Sequence, residues 1–365
     1  MSERIVNVGI IGTGGIANSK HIPALKKQKN VRIVALCDII PGKAAKSRDR
    51  HELTGADVYE DYRELLARDD IEVVHVCTPN RSHSTITVDA LHAGKHVMCE
   101  KPMAINSEEA RKMLKASEES GKKLTIGYQG RNRMDSLYMK READEGTFGE
   151  IYYAKALAIR RRAVPTWGVF LNEYEQGGGP LIDIGTHALD LTLWMMNNYR
   201  PKYCVGTTFH KLNNDTQTGN AWGDWDPEKF TVEDSAFGFI VMENGATITL
   251  ESSWALNYAD PIEAKTLICG TKGGADRMDG LRINGVRGGA QYMLRPQLDA
   301  KGVAFYDASG KESPAEREAR LWIESIIDPS KKPVVDPKEA YCVTRILEGI
   351  YTSAKTGDIY RFEND

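Results

Sequence analysis

The sequence has little of anything that would mark a membrane, nucleic-acid or disulfide-stabilised protein. No apolar run approaches the roughly 20 residues needed to span a bilayer. Lys and Arg number 48 against 51 Asp and Glu, a formal charge of -3, so a nucleic-acid footprint has no basic excess to draw on. Cysteine is scarce: six residues, at 37, 77, 99, 204, 269 and 342, with no C-x-x-C pair. That scatter argues for reduced thiols rather than disulfides or zinc, and Cys37, Cys77 and Cys99 suit small buried hydrophobes at strand ends. The opening "MSERIVNVGIIGTG" runs directly into a strand pattern, without the charged, apolar and small-residue order of a secretory signal. A cytoplasmic protein is therefore expected. The chain contains no internal repeat and no low-complexity segment.

What is present is an ordinary globular composition, 41% apolar and 27% charged, in 365 residues, enough for two domains. Over residues 1–127, β-branched-rich runs at 5–11, 31–38, 72–79, 96–100 and 123–128 alternate with helical stretches at 15–28, 42–53, 82–93 and 107–120. Strands alternating with helices of this length predict parallel pairing through right-handed crossovers, hence a doubly wound sheet. In "INSEEARKMLKASEESGKK", Asn106 or Ser107 reads as the N-cap, with acids in the first turn and a glycine at the end. From 128 to 365 the rhythm changes. A helix near 133–145, a long strand at 150–162, a Gly-rich loop "EQGGGP" and an apolar helix at 180–197 precede alternating segments at 202–210, 232–241, 246–255 and 263–270. Two late helices fall near 315–327 and 338–355. The expected fold is α/β: an N-terminal Rossmann domain (1–127), then an α+β domain (128–365) on one large, mostly antiparallel sheet.

In "GIIGTGGIANSKH", Gly12, Gly14 and Ala17 form G-x-G-x-x-A between the first strand and first helix, with Gly15 and Ile16 inside the same loop. The first glycine permits the tight turn, and the second lets the backbone approach a pyrophosphate. The small third residue allows close packing, and the helix N-terminus faces the anion. Asp38, ending the next strand, stands where adenosine ribose hydroxyls bind. An acid there favours NAD over NADP, although Lys43 and Arg48 lie within reach of an added phosphate. "CTPNRSH" contributes Thr78, Pro79 and Asn80 at a strand's carboxyl end, the side on which open α/β sheets bind ligands. His83 is counted with these cofactor-lining residues, without a catalytic role. Glu100 and Lys101 follow the next strand, and Pro102 restricts the residue before it. A lysine held there beside a nicotinamide can donate to a substrate hydroxyl. Tyr128, Gln129 and Arg131, just after the last strand, are further candidates: Gln129 for the cofactor, Tyr128 for the substrate.

"GGGPLIDIGTHALDLTLWMM" holds Asp183, His187 and Asp190 at i, i+4, i+7 on one face of an otherwise apolar helix. Three ionisable groups in such a place are costly unless paired or used, and flanking carboxylates orient an imidazole and raise its basicity. D-x-x-x-H supplies two metal ligands without a third, so no metal is expected. If this helix meets the cleft floored by Lys101, the set suits oxidation of a secondary alcohol: a base takes the hydroxyl proton while the carbinol hydride goes to the cofactor.

With "GIIGTGGIA", "CEKP" at 99–102 and "GGGPLIDIGTHALD" at 177–190 in this order, the chain resembles the Gfo/Idh/MocA oxidoreductases, relatives of glucose–fructose oxidoreductase and inositol dehydrogenase, over essentially its whole length. The resemblance implies a Rossmann domain followed by an open-faced sheet domain that mediates homo-oligomers. It also implies that Lys101, Asp183 and His187 match the catalytic lysine, aspartate and histidine, the histidine as acid/base, the lysine orienting the hydroxyl, and the aspartate supporting both.

In "AIRRRAVPTWGVF", Arg160, Arg161 and Arg162 are expected to alternate along a strand end, turning Arg160 and Arg162 toward substrate. Trp167 is expected as a platform for a sugar ring. This stretch is similar to members acting on sugars and glycosides, some of which oxidise C3 of a pyranose. The reading is NAD-dependent oxidation of a ring secondary hydroxyl of a sugar or glycoside, C3 of a pyranoside favoured, to the keto-sugar. Inositol or polyol oxidation, a redox-neutral NAD-dependent glycosidase and a non-enzymatic dinucleotide sensor stay open. The sensor class would lose the lysine or histidine, and both are filled here.

Overall fold

Short apolar runs of the first third pair as a sheet of six parallel strands: β1 (Val6–Ile11), β2 (Val31–Cys37), β3 (Asp57–Tyr59), β4 (Val73–Val76), β5 (His96–Cys99) and β6 (Leu124–Ile126). Their order is β3-β2-β1-β4-β5-β6, the doubly wound order, reversing at β1/β4. The computed structural model describes residues 4–215, 219–298 and 312–363. Helices cover both faces, so β1 is buried without a break from Val8 to Ile11. Asn106 is the N-cap of helix Ser107–Ser120, accepting from Glu109 N–H, and Gly121 closes that helix in the left-handed region.

The boundary differs from the one expected at 127/128. One unit comprises Met1–Asn132 with Glu312–Tyr341, the other Arg133–Lys311 with Cys342–Asp365. Helix Pro314–Ile327 begins with a Ser313/Glu316 capping box. It lays Ala319, Trp322, Ile323 and Ile326 into the core formed by Val6, Ile22 and Leu25. Its apolar stripe belongs to the first sheet, which sequence order alone does not reveal.

The second unit is built on nine strands: β7 (Ile151–Ile159), β8 (Pro201–Phe209), β9 (Ser235–Met242), β10 (Thr247–Ser253), β11 (Ile262–Gly270), β12 (Gly273–Asp276), β13 (Arg282–Arg287), β14 (Ala290–Leu294) and β15 (Tyr360–Arg361). The order is β14-β13-β12-β11-β7-β10-β9-β8-β15, with β7 and β10 parallel and every other neighbouring pair antiparallel. One face is covered. Helix Thr186–Met196 packs on β7 and β11, tied by a 2.8 Å bond from Thr192 to Thr266. The opposed glycines Gly206 and Gly238 make room for Ile350, whose side chain a Cβ on either would meet at 2.6 or 2.5 Å. On the other face Val205 and Phe239 are direct cross-strand partners and both exposed. Among the described residues no helix is long and apolar enough to cross a membrane.

Candidate active site

In the first unit the expected cofactor residues gather at the carboxyl ends of the parallel strands. Gly12 turns the chain out of β1 at φ +89°, and a Cβ there would stand 2.6 Å from the Cys77 carbonyl oxygen. Only glycine fits that approach. Gly14 and Gly15, by contrast, have nothing within 4 Å of where a Cβ would be, which leaves the space above the loop that a pyrophosphate needs. Asn18, which sequence reasoning missed, fixes the loop by donating to the carbonyls of Thr13 and Gly14, each at 2.8 Å. Ile16 is exposed and Ala17 buried, as the fingerprint's packing requires.

Asp38 ends β2 buried, with one carboxylate oxygen accepting from Thr13 N–H (2.9 Å) and Oγ1 (3.1 Å) and the other from Ile40 N–H (3.1 Å). Lys43 Nζ lies 3.0 Å away. Burial alone would push this carboxyl up, but the Thr13 amide, Lys43 and the Ile40 amide outweigh it and hold it below its ordinary value. The donor set thus suits NAD: an open loop of amides for the pyrophosphate and an ionised acceptor for ribose hydroxyls.

The loops after β4 and β5 are joined by His83. Its Nδ1 lies 2.8 Å from the Pro102 carbonyl and its Nε2 2.9 Å from that of Thr78. Counted beforehand with the cofactor-lining residues, His83 has both ring nitrogens engaged by backbone, so it holds the loops that carry Thr78, Pro79, Asn80 and Lys101. Glu100 is buried too. One of its oxygens accepts from Lys20 (2.7 Å) and His21 Nε2 (2.6 Å), the other from Lys101 N–H (3.1 Å). Its carboxylate therefore braces Lys101, which stands half-buried at the strand end before a cis Pro102. Gln129 is exposed and Tyr128 is 1% exposed. Arg131 is corrected: it is fully buried in an ion pair with Glu339, a structural use of the guanidinium.

In the second unit Asp183 and His187 bridge a π turn, Leu181–Gly185, and helix Thr186–Met196. The expected single α-helical face is thus widened at its start, a departure often found at functional sites. Asp183 and His187 are half-buried, and Asp190 is buried. Trp254, just past β10, donates its indole N–H to Asp183 Oδ2 at 3.1 Å. Glu233 was missed by sequence reasoning. Its carboxylate accepts from Gly179 N–H (2.7 Å), Leu181 N–H (3.1 Å) and Tyr351 OH (2.8 Å), anchoring the start of the Asp183 turn.

The arginines do not alternate as expected, because β7 ends at Ile159. Arg160 turns to Glu263 in a bidentate pair (2.5 and 2.8 Å) and also donates to the Ala163 carbonyl. Arg161 is exposed, and Arg162 donates to the carbonyls of Arg161 and Ala255. Trp167 is exposed and meets Trp222, another residue without a sequence signal, edge to face at 5.0 Å.

Residues 6–128 match the family described as "Oxidoreductase family, NAD-binding Rossmann fold", and residues 136–276 match the "GFO/IDH/MocA C-terminal domain". The chain belongs to the GFO/IDH/MocA oxidoreductase family. Its first unit is that family's NAD-binding Rossmann domain. Over 98% of this chain and 97% of the relative it is 33% identical to the D-glucoside 3-dehydrogenase of Escherichia coli K12. It is 34% identical to the inositol 2-dehydrogenase/D-chiro-inositol 3-dehydrogenase of Lactiplantibacillus plantarum over 53% of each. The fold is shared with the aldose-aldose oxidoreductase of Caulobacter crescentus (TM-score 0.79, 23% identity, 98% and 100% covered). It is shared also with an oxidoreductase domain protein of Kribbella flavida (TM-score 0.85, 21% identity, 99% and 100% covered).

Proposed function

We propose that the protein oxidises a ring secondary hydroxyl of a sugar or glycoside to the keto-sugar, at C3 of a pyranoside, with NAD as hydride acceptor. The observation that carries the substrate class is the likeness to the D-glucoside 3-dehydrogenase of E. coli through 98% of this chain. When bound, NAD supplies the electron sink that takes the carbinol hydrogen as hydride. The chain's own residues handle the proton. His187 takes it from the reacting hydroxyl, Lys101 donates a hydrogen bond to that oxygen as charge develops, and Asp183, fixed by Trp254, orients the substrate. NAD rather than NADP is supported by Asp38, an acceptor-only carboxylate suited to ribose hydroxyls and unsuited to a phosphate. Inositol or polyol oxidation is the second reading, favoured by the partial likeness to the inositol dehydrogenase.

The sheet face bearing Val205 and Phe239 is assigned to pairing with a second copy. The cytoplasm is the compartment that suits six cysteines that form no disulfide.

The test follows reduced nicotinamide by its near-ultraviolet absorbance while NAD or NADP is offered with free sugars, inositols and glycosides. The expected result is a rise with NAD and glucosides. Release of an aglycone with no net rise would replace this reading with redox-neutral cleavage. Lys101→Met should keep NAD affinity and lower kcat by at least about 10²-fold to 10³-fold. Undiminished turnover in that variant would overturn the assignment of Lys101.

A further inference from the structure

The loop between β8 and β9 treats its two tryptophans oppositely. Trp225 is buried at 5% exposure, with its indole N–H on the Asn213 carbonyl (3.1 Å). Trp222, three residues earlier, is 44% exposed, and its neighbour Trp167 is 52% exposed. A loop able to bury one indole leaves a second in solvent against a third, although large aromatics contribute most when covered.

The exposed pair is held rigidly. Asn220 accepts from Val164 N–H (2.8 Å) and donates to the carbonyls of Val164 (3.0 Å) and Gly223 (2.7 Å). It therefore clips the Trp222 loop to the segment leading to Trp167. The rings meet at 79° and both stay partly exposed, with Phe170 meeting Trp167 edge to face at 5.9 Å. Beneath it, the Arg160 guanidinium lies 5.3 Å from the Trp222 ring centroid and is locked by Glu263.

The corner is tied to the reacting end of this unit. Arg160 N–H donates to the carbonyl of Ser253, and the next residue, Trp254, donates to Asp183. After Glu263, Asp183 is the second carboxylate acting on the Arg160 cation. Contacts therefore run from Asp183 through Trp254, Ser253 and Arg160 to Trp222 and Trp167, so the corner is linked to Asp183 through Arg160.

Building on the glycoside reading above, we propose that Trp222 and Trp167 form an aglycone subsite that selects glycosides whose aglycone is a planar aromatic ring. One indole face stacks on that ring and the other closes its edge, with Arg160 making the Trp222 face rigid.

The test compares phenyl and methyl D-glucosides of one anomer, and the quantity read is the ratio of their kcat/KM values. The wild-type ratio should favour phenyl by roughly tenfold, the worth of one aromatic pairing. Trp222→Ala should bring the ratio to near one, and Trp222→Phe should leave it intermediate, which guards against a folding defect in the alanine variant. A wild-type ratio near one, or equal losses on both glucosides in Trp222→Ala, would overturn the aglycone assignment while leaving the glycoside reading intact. A change of oligomeric state in Trp222→Ala, measured by light scattering, would overturn it in favour of a second copy covering the corner. Absence of wild-type turnover on both glucosides would instead defeat the glycoside reading, and the subsite with it.

Discussion

Each unit buries a carboxylate beside its candidate catalytic residues, and the two are neutralised in opposite ways. Glu100, in the first unit, faces Lys20 and His21. Burial drives its pKa upward, but the Lys20 cation and the hydrogen bond with His21 outweigh burial and hold it well below the ordinary value. Glu233, in the second, meets neutral donors among the described residues: two backbone amides and a tyrosine hydroxyl. Burial wins there, and its pKa is pushed up to about 7. The lesson is that hydrogen bonds satisfy a buried carboxylate without keeping it charged; a nearby cation does both. The first unit has a permanently ionic brace under Lys101, and the second a titrating one under the Asp183 turn.

Removing the cation should give the largest effect. Lys20 lies between Glu100 (2.7 Å) and Glu318 (2.8 Å), and these carboxylates hold its pKa well above the ordinary lysine value against the opposing effect of burial. Lys20→Met would leave Glu100 with His21 and take from Glu318 its cation, a loss of about 3–5 kcal/mol by urea unfolding. The loss should shrink toward pH 5, where the acids can take protons. A variant that unfolds like the wild type would show that Lys20 is not what neutralises the first unit.

The next effect belongs to Glu233. Its folded pKa of about 7 lies above its ordinary 4.5, so the folded state holds the proton more tightly and stability is highest at low pH. That contribution fades as pH rises from about 4.5 to 7 and is gone above it, about 3 kcal/mol in all at 1.36 kcal/mol per pKa unit. Glu233→Gln cannot titrate, so its Tm should gain on the wild type steadily between pH 5 and pH 8. Parallel Tm curves would mean that the carboxyl does not titrate in this range.

These braces also mark where the sequence stopped being legible. Five strands of the first unit's sheet follow from alternating strand and helix patterns, the short edge strand β3 being missed, and its cradle follows from one loop, because amides and a glycine turn act through local backbone. The side chains of the second unit come together from far apart: Trp254 reaches Asp183 across 71 residues, Arg160 meets Glu263 across 103, and Tyr351 meets Glu233 across 118. No local pattern encodes such pairings. The alternation expected of the three arginines fails for a related reason, since it needs a strand, and β7 stops at Ile159. Helix Pro314–Ile327 was visible as a helix, but nothing in its own residues says which sheet its stripe covers.

The smallest effect should come from Asp38, where cation and neutral donors act on one carboxylate. Thr13 and Ile40 donate to it through neutral groups, and Lys43 adds a charge 3.0 Å away. Asp38→Asn keeps the shape and removes only the charge. The amide can still accept from one donor set, but its NH₂ now faces the other, and Lys43 loses its carboxylate partner. NAD should bind about tenfold more weakly, about 1.4 kcal/mol, as the acceptor for the ribose hydroxyls weakens. NADP should improve, because the repulsion of a phosphate is gone and Lys43 is released toward it. The ratio of the two affinities, measured by fluorescence titration of each reduced cofactor, should therefore shift toward NADP by more than either affinity alone. An unchanged ratio would show that the Asp38 charge is spent on Lys43 and Thr13, and that cofactor choice is made elsewhere in the cradle.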